Sequence, residues 1–134
     1  MRFIIVDPRK RTVEPFDGEF EEAKVAAGLD PTAVDHGVVA PGLAIVVYEY
    51  SLMVPPHEQA YCGIGSTLVA GPAVFYGFDK HGETVPLRKS EFPDVRFYLG
   101  INDVEAAIER GEIVRPFNAF NDAVFWEFNK GASE

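Results

Sequence analysis

A chain of 134 residues, 47% of them hydrophobic and 13% aromatic, has enough apolar material for one core of its own and predicts a single domain over 1–134. Its 21 acidic residues against 12 basic ones leave a net charge of −9, which excludes direct nucleic-acid binding, because phosphate contacts require clustered Lys and Arg. No signal-peptide pattern and no run of about 18 apolar residues occurs, and the lone Cys62 cannot close an intramolecular disulfide, so a cytoplasmic protein without membrane contact is expected.

In chain order, RFIIVD at 2–7 is a β-rich run, Asp7-Pro8 is a turn signal, and RTVEPF at 11–16 alternates enough to return as its partner in an N-terminal hairpin. A helix is expected over 18–28. Asp17 is placed to accept bonds from its first amides, Glu19, Glu21 and Glu22 favour its positive end, and Phe20, Ala23 and Ala27 form the inward stripe. Gly28 and Pro31 end it. From Val38 the pattern turns to β, with the nearly continuous apolar run LAIVV in GLAIVVYEY marking a strand covered on both faces. Pro55-Pro56 stops the extended segment and leaves His57, Glu58 and Gln59 in a connection.

TLVA at 67–70, a break at Gly71-Pro72, and AVFYGFD returning through DKHGE into TVPL then read as further sheet. RFYLGI from Arg96 is another strand, and a second helix is expected over 102–110. There Asn102 and Glu105 have capping-box spacing, Val104, Ala107 and Ile108 share a face, and Gly111 closes the element. The aromatic segment VRPFNAFNDAVFWEF predicts a C-terminal hairpin turning at Asn121-Asp122, with Val124, Trp126 and Phe128 on one side.

The stretch YCGIGSTLVAGPAVFYGFD, 61–79, looks most like a motif and fails as each of three. A Walker loop needs a lysine, and none lies between Lys24 and Lys80. A dinucleotide fingerprint needs a third glycine where Leu68 stands, and Ser66 lacks the flanking glycines of a nucleophile elbow. Its four glycines are therefore expected to punctuate β-structure, the competing role being that Gly63 and Gly65 let a ligand approach the backbone. His57, Glu58 and Cys62 do not have zinc-ligand spacing, and only His36 and His81 remain as further histidines, so no metal and no cofactor is expected. Cys62 reads as a small buried thiol rather than a nucleophile.

Charge is unevenly placed. From Val25 to Asp79 there is no Lys or Arg, while Asp30, Asp35, Glu49 and Glu58 fall in that span. An ordinary solvated face competes with a surface aimed at a basic partner, such as one that normally holds nucleic acid. The IVDP start, the extended middle ending at VYEYSLM and the block VAGPAVFYGFDKHGETVPL resemble small uncharacterised proteins of bacteriophages, plasmids and related bacterial elements. That resemblance implies an accessory protein of mobile-element origin and carries over no catalytic residues.

Together these features predict an α+β fold, a mostly antiparallel twisted β-sheet with two short helices packed on it. The function expected is that of a non-enzymatic acidic accessory protein binding a protein partner or itself as a homodimer. Tyr48, Glu49, Tyr50, His57, Glu58, Tyr61 and Trp126 are the candidate binding residues. The alternative is a small-molecule-binding protein or small enzyme, with carboxylates Glu49 and Glu58 and the hydroxyls of Tyr48, Tyr50 and Tyr61 around a site that includes His57.

Overall fold

The structure, a computed structural model, describes residues 1–51, 54 and 59–116, with the backbone alone at 115 and 116. Its strands are β1 (Arg2–Asp7), β2 (Thr12–Asp17), β3 (Val34–Ala40), β4 (Leu43–Tyr48), β5 (Tyr61–Ile64), β6 (Thr67–Ala70), β7 (Ala73–Phe78), β8 (Thr84–Val85), β9 (Val95–Tyr98) and β10 (Arg115–Pro116). The helices are α1 (Phe20–Ala26) and α2 (Ile101–Glu109), and a 3-10 turn covers Lys89–Glu91. These are mostly antiparallel strands in two sheets with two short helices, an α+β fold. Two compact units are formed, Met1–Tyr50 with Pro72–Phe92, and Ser51–Gly71 with the chain from Pro93. Among the described residues no helix is long and apolar enough to cross a membrane.

In the first unit the sheet order is β2-β1-β7-β4-β3, antiparallel throughout, with β8 also paired to β7. The central β7 has β4 along one edge. Along the other, β1 faces Ala73 to Phe75 and β8 faces Gly77 and Phe78. The apolar runs of β4 and β7 are buried on both faces, as their lack of alternation predicts. Ile4, Val6, Ile45, Val47, Ala73 and Phe75 have no exposed surface, and Phe92 stands edge-on to Phe75 at 4.9 Å. The other face carries α1: Ala23 and Ala27 pack with Phe3, Val46 and Val74, while Phe20 meets Phe3 and Tyr76 edge-on at 5.4 and 5.2 Å. Each large side chain so buried contributes about 1.5–3 kcal/mol.

Two local expectations are corrected here. The helix begins at Phe20, not at Gly18, and its cap is Glu19 rather than Asp17: the Glu22 carboxylate accepts the Glu19 amide at 2.9 Å in a capping box. Asp17 is held in β2 instead, where Arg2 donates to both its oxygens at 3.1 Å. The β-structure before β4 also starts at Val34, earlier than Val38. Asp35-His36-Gly37 hides a strand that pairs with β4 along one edge and has a largely exposed, polar pattern with a bulge between Val38 and Ala40.

In the second unit the order is β10-β6-β5-β9, and β10 with β6 is the one parallel pair among the described strands. Val104, Ala107 and Ile108 of α2 pack on Tyr61, Leu68, Ala70 and Tyr98, with Ile113 completing the cluster. The helix starts one residue earlier than expected, with Gly100 as N-cap and no side-chain cap, so Asn102 lies inside the first turn and its expected capping box with Glu105 does not form. At Gly71, φ is +75°, a left-handed conformation, and Pro72 donates no ladder bond; there the chain leaves the sheet of β6 for that of β7. The β7–β8 hairpin forms as expected, its turn held by the Asp79 carboxylate, which accepts from the amides of His81 and Glu83 at 2.8 and 3.0 Å. The expected C-terminal hairpin lies outside the described residues.

Candidate functional site

β4 is apolar until it leaves the core. Leu43 to Val47 are buried, and Tyr48, Glu49 and Tyr50 are exposed, the two rings to 37% and 47%. The rings meet edge-on, centroids 5.6 Å apart. The Glu49 amide donates to the Ala33 carbonyl at 2.8 Å, which carries the β3–β4 ladder one pair beyond Val34 and Tyr48 and fixes the backbone between the tyrosines. Asp35 is opposite Val47. Strand alternation therefore puts Asp35 and Glu49 on one face as diagonal neighbours, about 7–8 Å apart. Asp30 lies a few residues before β3, and hydrogen bonds from the Thr32 hydroxyl and amide, at 2.7 and 3.0 Å, hold its carboxyl below the usual carboxylate range. The nearest preceding cation, Lys24, is buried and engaged by Glu21 at 2.7 Å and by the Phe20 ring.

On the face that carries α1, a groove of about 300 Å³ is lined by His36 and Val38 of β3, Ala44 of β4, Tyr76 and Phe78 of β7 and Thr84 of β8. Phe20 stacks on one of the lining residues, His36, with centroids 5.9 Å apart. A second hollow, of about 250 Å³, lies between Ile5, Lys10, Glu14, Phe16 and Ala27. Neither Tyr48, Glu49 and Tyr50 nor Tyr61 lines these two hollows.

In the second unit, Gly63 is where side chains, not a ligand, approach the backbone. A Cβ there would stand 2.9 Å from Arg96 Nη2 and 3.1 Å from Tyr98 Cε2. Arg96 Nη2 donates to the Gly65 carbonyl, Tyr98 OH donates to Glu112 Oε2 at 3.1 Å, and Arg110 grips the same carboxylate through Nε and Nη2 at 2.9 and 3.1 Å. The Arg110 bonds hold Glu112 ionised, below its usual range. This group ties the β5–β6 turn to β9 and α2 to the segment after it, with the one carboxylate of Glu112 shared by Arg110 and Arg96.

Of the seven sequence-derived candidates, Tyr48, Glu49 and Tyr50 come together in the first unit. Tyr61 belongs to the second unit, fully buried against α2, and burial pushes its phenol up to about 12. His57, Glu58 and Trp126 lie outside the described residues. Cys62 is buried, as expected, and loss of solvation pushes its thiol up to about 12, so it is a neutral thiol at pH 7. Among the described residues no three His, Cys, Asp or Glu side chains gather closely enough to hold a metal ion. Sequence reasoning missed the groove, because His36, Val38 and Thr84 become neighbours only through the pairing of four strands; the signal available was the short apolar triplet after His36. Comparison with protein-family models, curated proteins and solved structures finds no match to this chain.

Proposed function

We propose that this is a non-enzymatic accessory protein that binds another protein through the acidic, tyrosine-bearing end of the β3–β4 ladder. The observation that carries the reading is the exposed edge-on pair Tyr48–Tyr50 at the end of the β3–β4 ladder, with Asp35 and Glu49 on the opposite face of that same end, in a stretch of chain without a Lys or Arg. Aromatic faces attract guanidinium and ammonium groups, and carboxylates at the rim accept their hydrogen bonds, so the patch suits a basic surface on the partner. A surface that normally holds nucleic acid has that chemistry, and an acidic protein is steered to it at long range. A second copy of this chain, itself acidic, offers a poorer match.

The test is binding of a fluorescent Arg-rich peptide, followed by anisotropy at fixed salt. Glu49→Lys and Tyr48→Ala are each expected to weaken binding by about tenfold, equivalent to about 1.4 kcal/mol, while Glu14→Lys, an exposed acid on β2, changes it little. Equal loss in all three variants would show only a response to net charge and would sink the reading. Native mass spectrometry of the wild type gives an independent check: a retained small molecule would favour a ligand-binding role instead, and a bare dimer would favour self-association.

A further inference from the structure

The hollow at the C-terminal end of α1 combines a cation and carboxylates with an apolar floor, all within the first unit. Its strand residues share one face. Ile5 and Phe16 pack on the α1 cluster. In the β1–β2 ladder Asp7 stands opposite Thr12, Ile5 opposite Glu14 and Phe3 opposite Phe16. Side chains alternate along a strand, so Asp7, Thr12 and Glu14 lie on the same side as that apolar pair. Lys10 comes from the turn between the strands. Asp7 holds this turn, its Oδ1 accepting from the amides of Arg9 and Lys10 at 3.0 and 3.3 Å, and Arg11 closes it in the left-handed region at a φ of +55°. Asp7 is thereby committed to the backbone. The Lys10 ammonium and the Glu14 carboxylate line the same hollow, and among the described residues neither has a hydrogen-bond or ion-pair partner.

We propose that this hollow binds a free α-amino acid with an apolar side chain. Lys10 and the Thr12 hydroxyl hold its carboxylate, Glu14 holds its ammonium, and its side chain lies on Ile5, Phe16 and Ala27. Three observations select that class of ligand. Two opposite, unpartnered charges at one hollow match a molecule that carries both, and charge-assisted hydrogen bonds are the strong ones; a ligand with a single charge gains only one set of them. The floor rewards an apolar side chain, since Ile5 and Phe16 are half-buried and Ala27 is buried. The space, about 250 Å³, is below the roughly 300–1,000 Å³ of sites for drug-sized ligands and suits a molecule no larger than one amino acid. β2 and β3 are opposite edges of the sheet, so this site is separate from the Tyr48 patch and does not rest on the basic-partner reading.

Titrations of the isotope-labelled protein, followed by its amide NMR shifts, decide it. Four compounds are compared: leucine, isopentylamine, which lacks the carboxylate, isocaproate, which lacks the ammonium, and glycine, which lacks the side chain. Leucine is expected to bind at least about tenfold more tightly than each of the others, with the shifts centred on residues 10–16. In Lys10→Met its advantage over isopentylamine should vanish, and in Glu14→Gln its advantage over isocaproate; both positions are exposed, so neither change removes core. If the four compounds bind alike, or none shifts these amides, the inference is overturned. Equal binding of leucine and isopentylamine would reduce the hollow to a cation site at Glu14 and overturn it as well. If leucine keeps both advantages in the two variants, it binds elsewhere and the inference falls. The comparisons among compounds use the unaltered protein, so they remain decisive should a variant fail to fold.

Discussion

Gly63 shows what a single residue can and cannot announce. In the sequence it looked like half of a phosphate loop; in the fold it is bare because Arg96 and Tyr98 lie across it, within 3.2 Å of where a Cβ would be. No local pattern reveals that, because Arg96 reaches Gly63 through strand pairing with β9. Cys62 next to it was legible, since a small apolar-flanked thiol in β-structure is most often core. Cys62 and Tyr61 also set an alkaline limit. Both groups hold their protons more tightly folded, up to about 12, than the ordinary values of 9.0 and 10.0. A raised value stabilises the fold below the ordinary value, and that stabilisation is lost as pH rises toward 12. The urea midpoint should therefore hold between pH 7 and 8 and fall progressively above about pH 9, less steeply in Cys62→Ala; a midpoint flat to pH 11 would contradict the burial of both groups.

Among the elements, those whose own residues decide their environment were readable. LAIVV and AVFYGF are apolar without alternation and became the inner strands β4 and β7, and the stripe of α1 faces the core as its spacing implies. The first half of β3 is not legible in the sequence, because DHG breaks the apolar pattern at a sheet edge, where one neighbouring strand tolerates polar residues. Caps were misassigned for a different reason: Asp17 is a good capping residue, and a long-range partner, Arg2, took it. The consequence is measurable. Glu22→Ala should lower stability by about 0.5–2 kcal/mol by removing the reciprocal cap, whereas Asp17→Ala removes only an exposed, solvent-screened ion pair and should cost less. The reverse ranking in urea melts would return the cap to Asp17.

For the molecule as a whole, the sheets were the least visible feature, because registers join residues far apart in sequence. β1 pairs with β7 across about 70 residues, and such contacts reward the chain only after a long loop has closed. Refolding followed by tryptophan-independent far-UV circular dichroism in a stopped-flow cell should accordingly take milliseconds to seconds; completion in microseconds would mean that the long-range pairing is not limiting. The same long reach shapes how the gene can change. Each unit is drawn from two separate stretches, with junctions after Tyr50, Gly71 and Phe92. No single recombination event can pass one unit to a new gene and leave the other intact, so the two are bound to be inherited, and to accumulate substitutions, together.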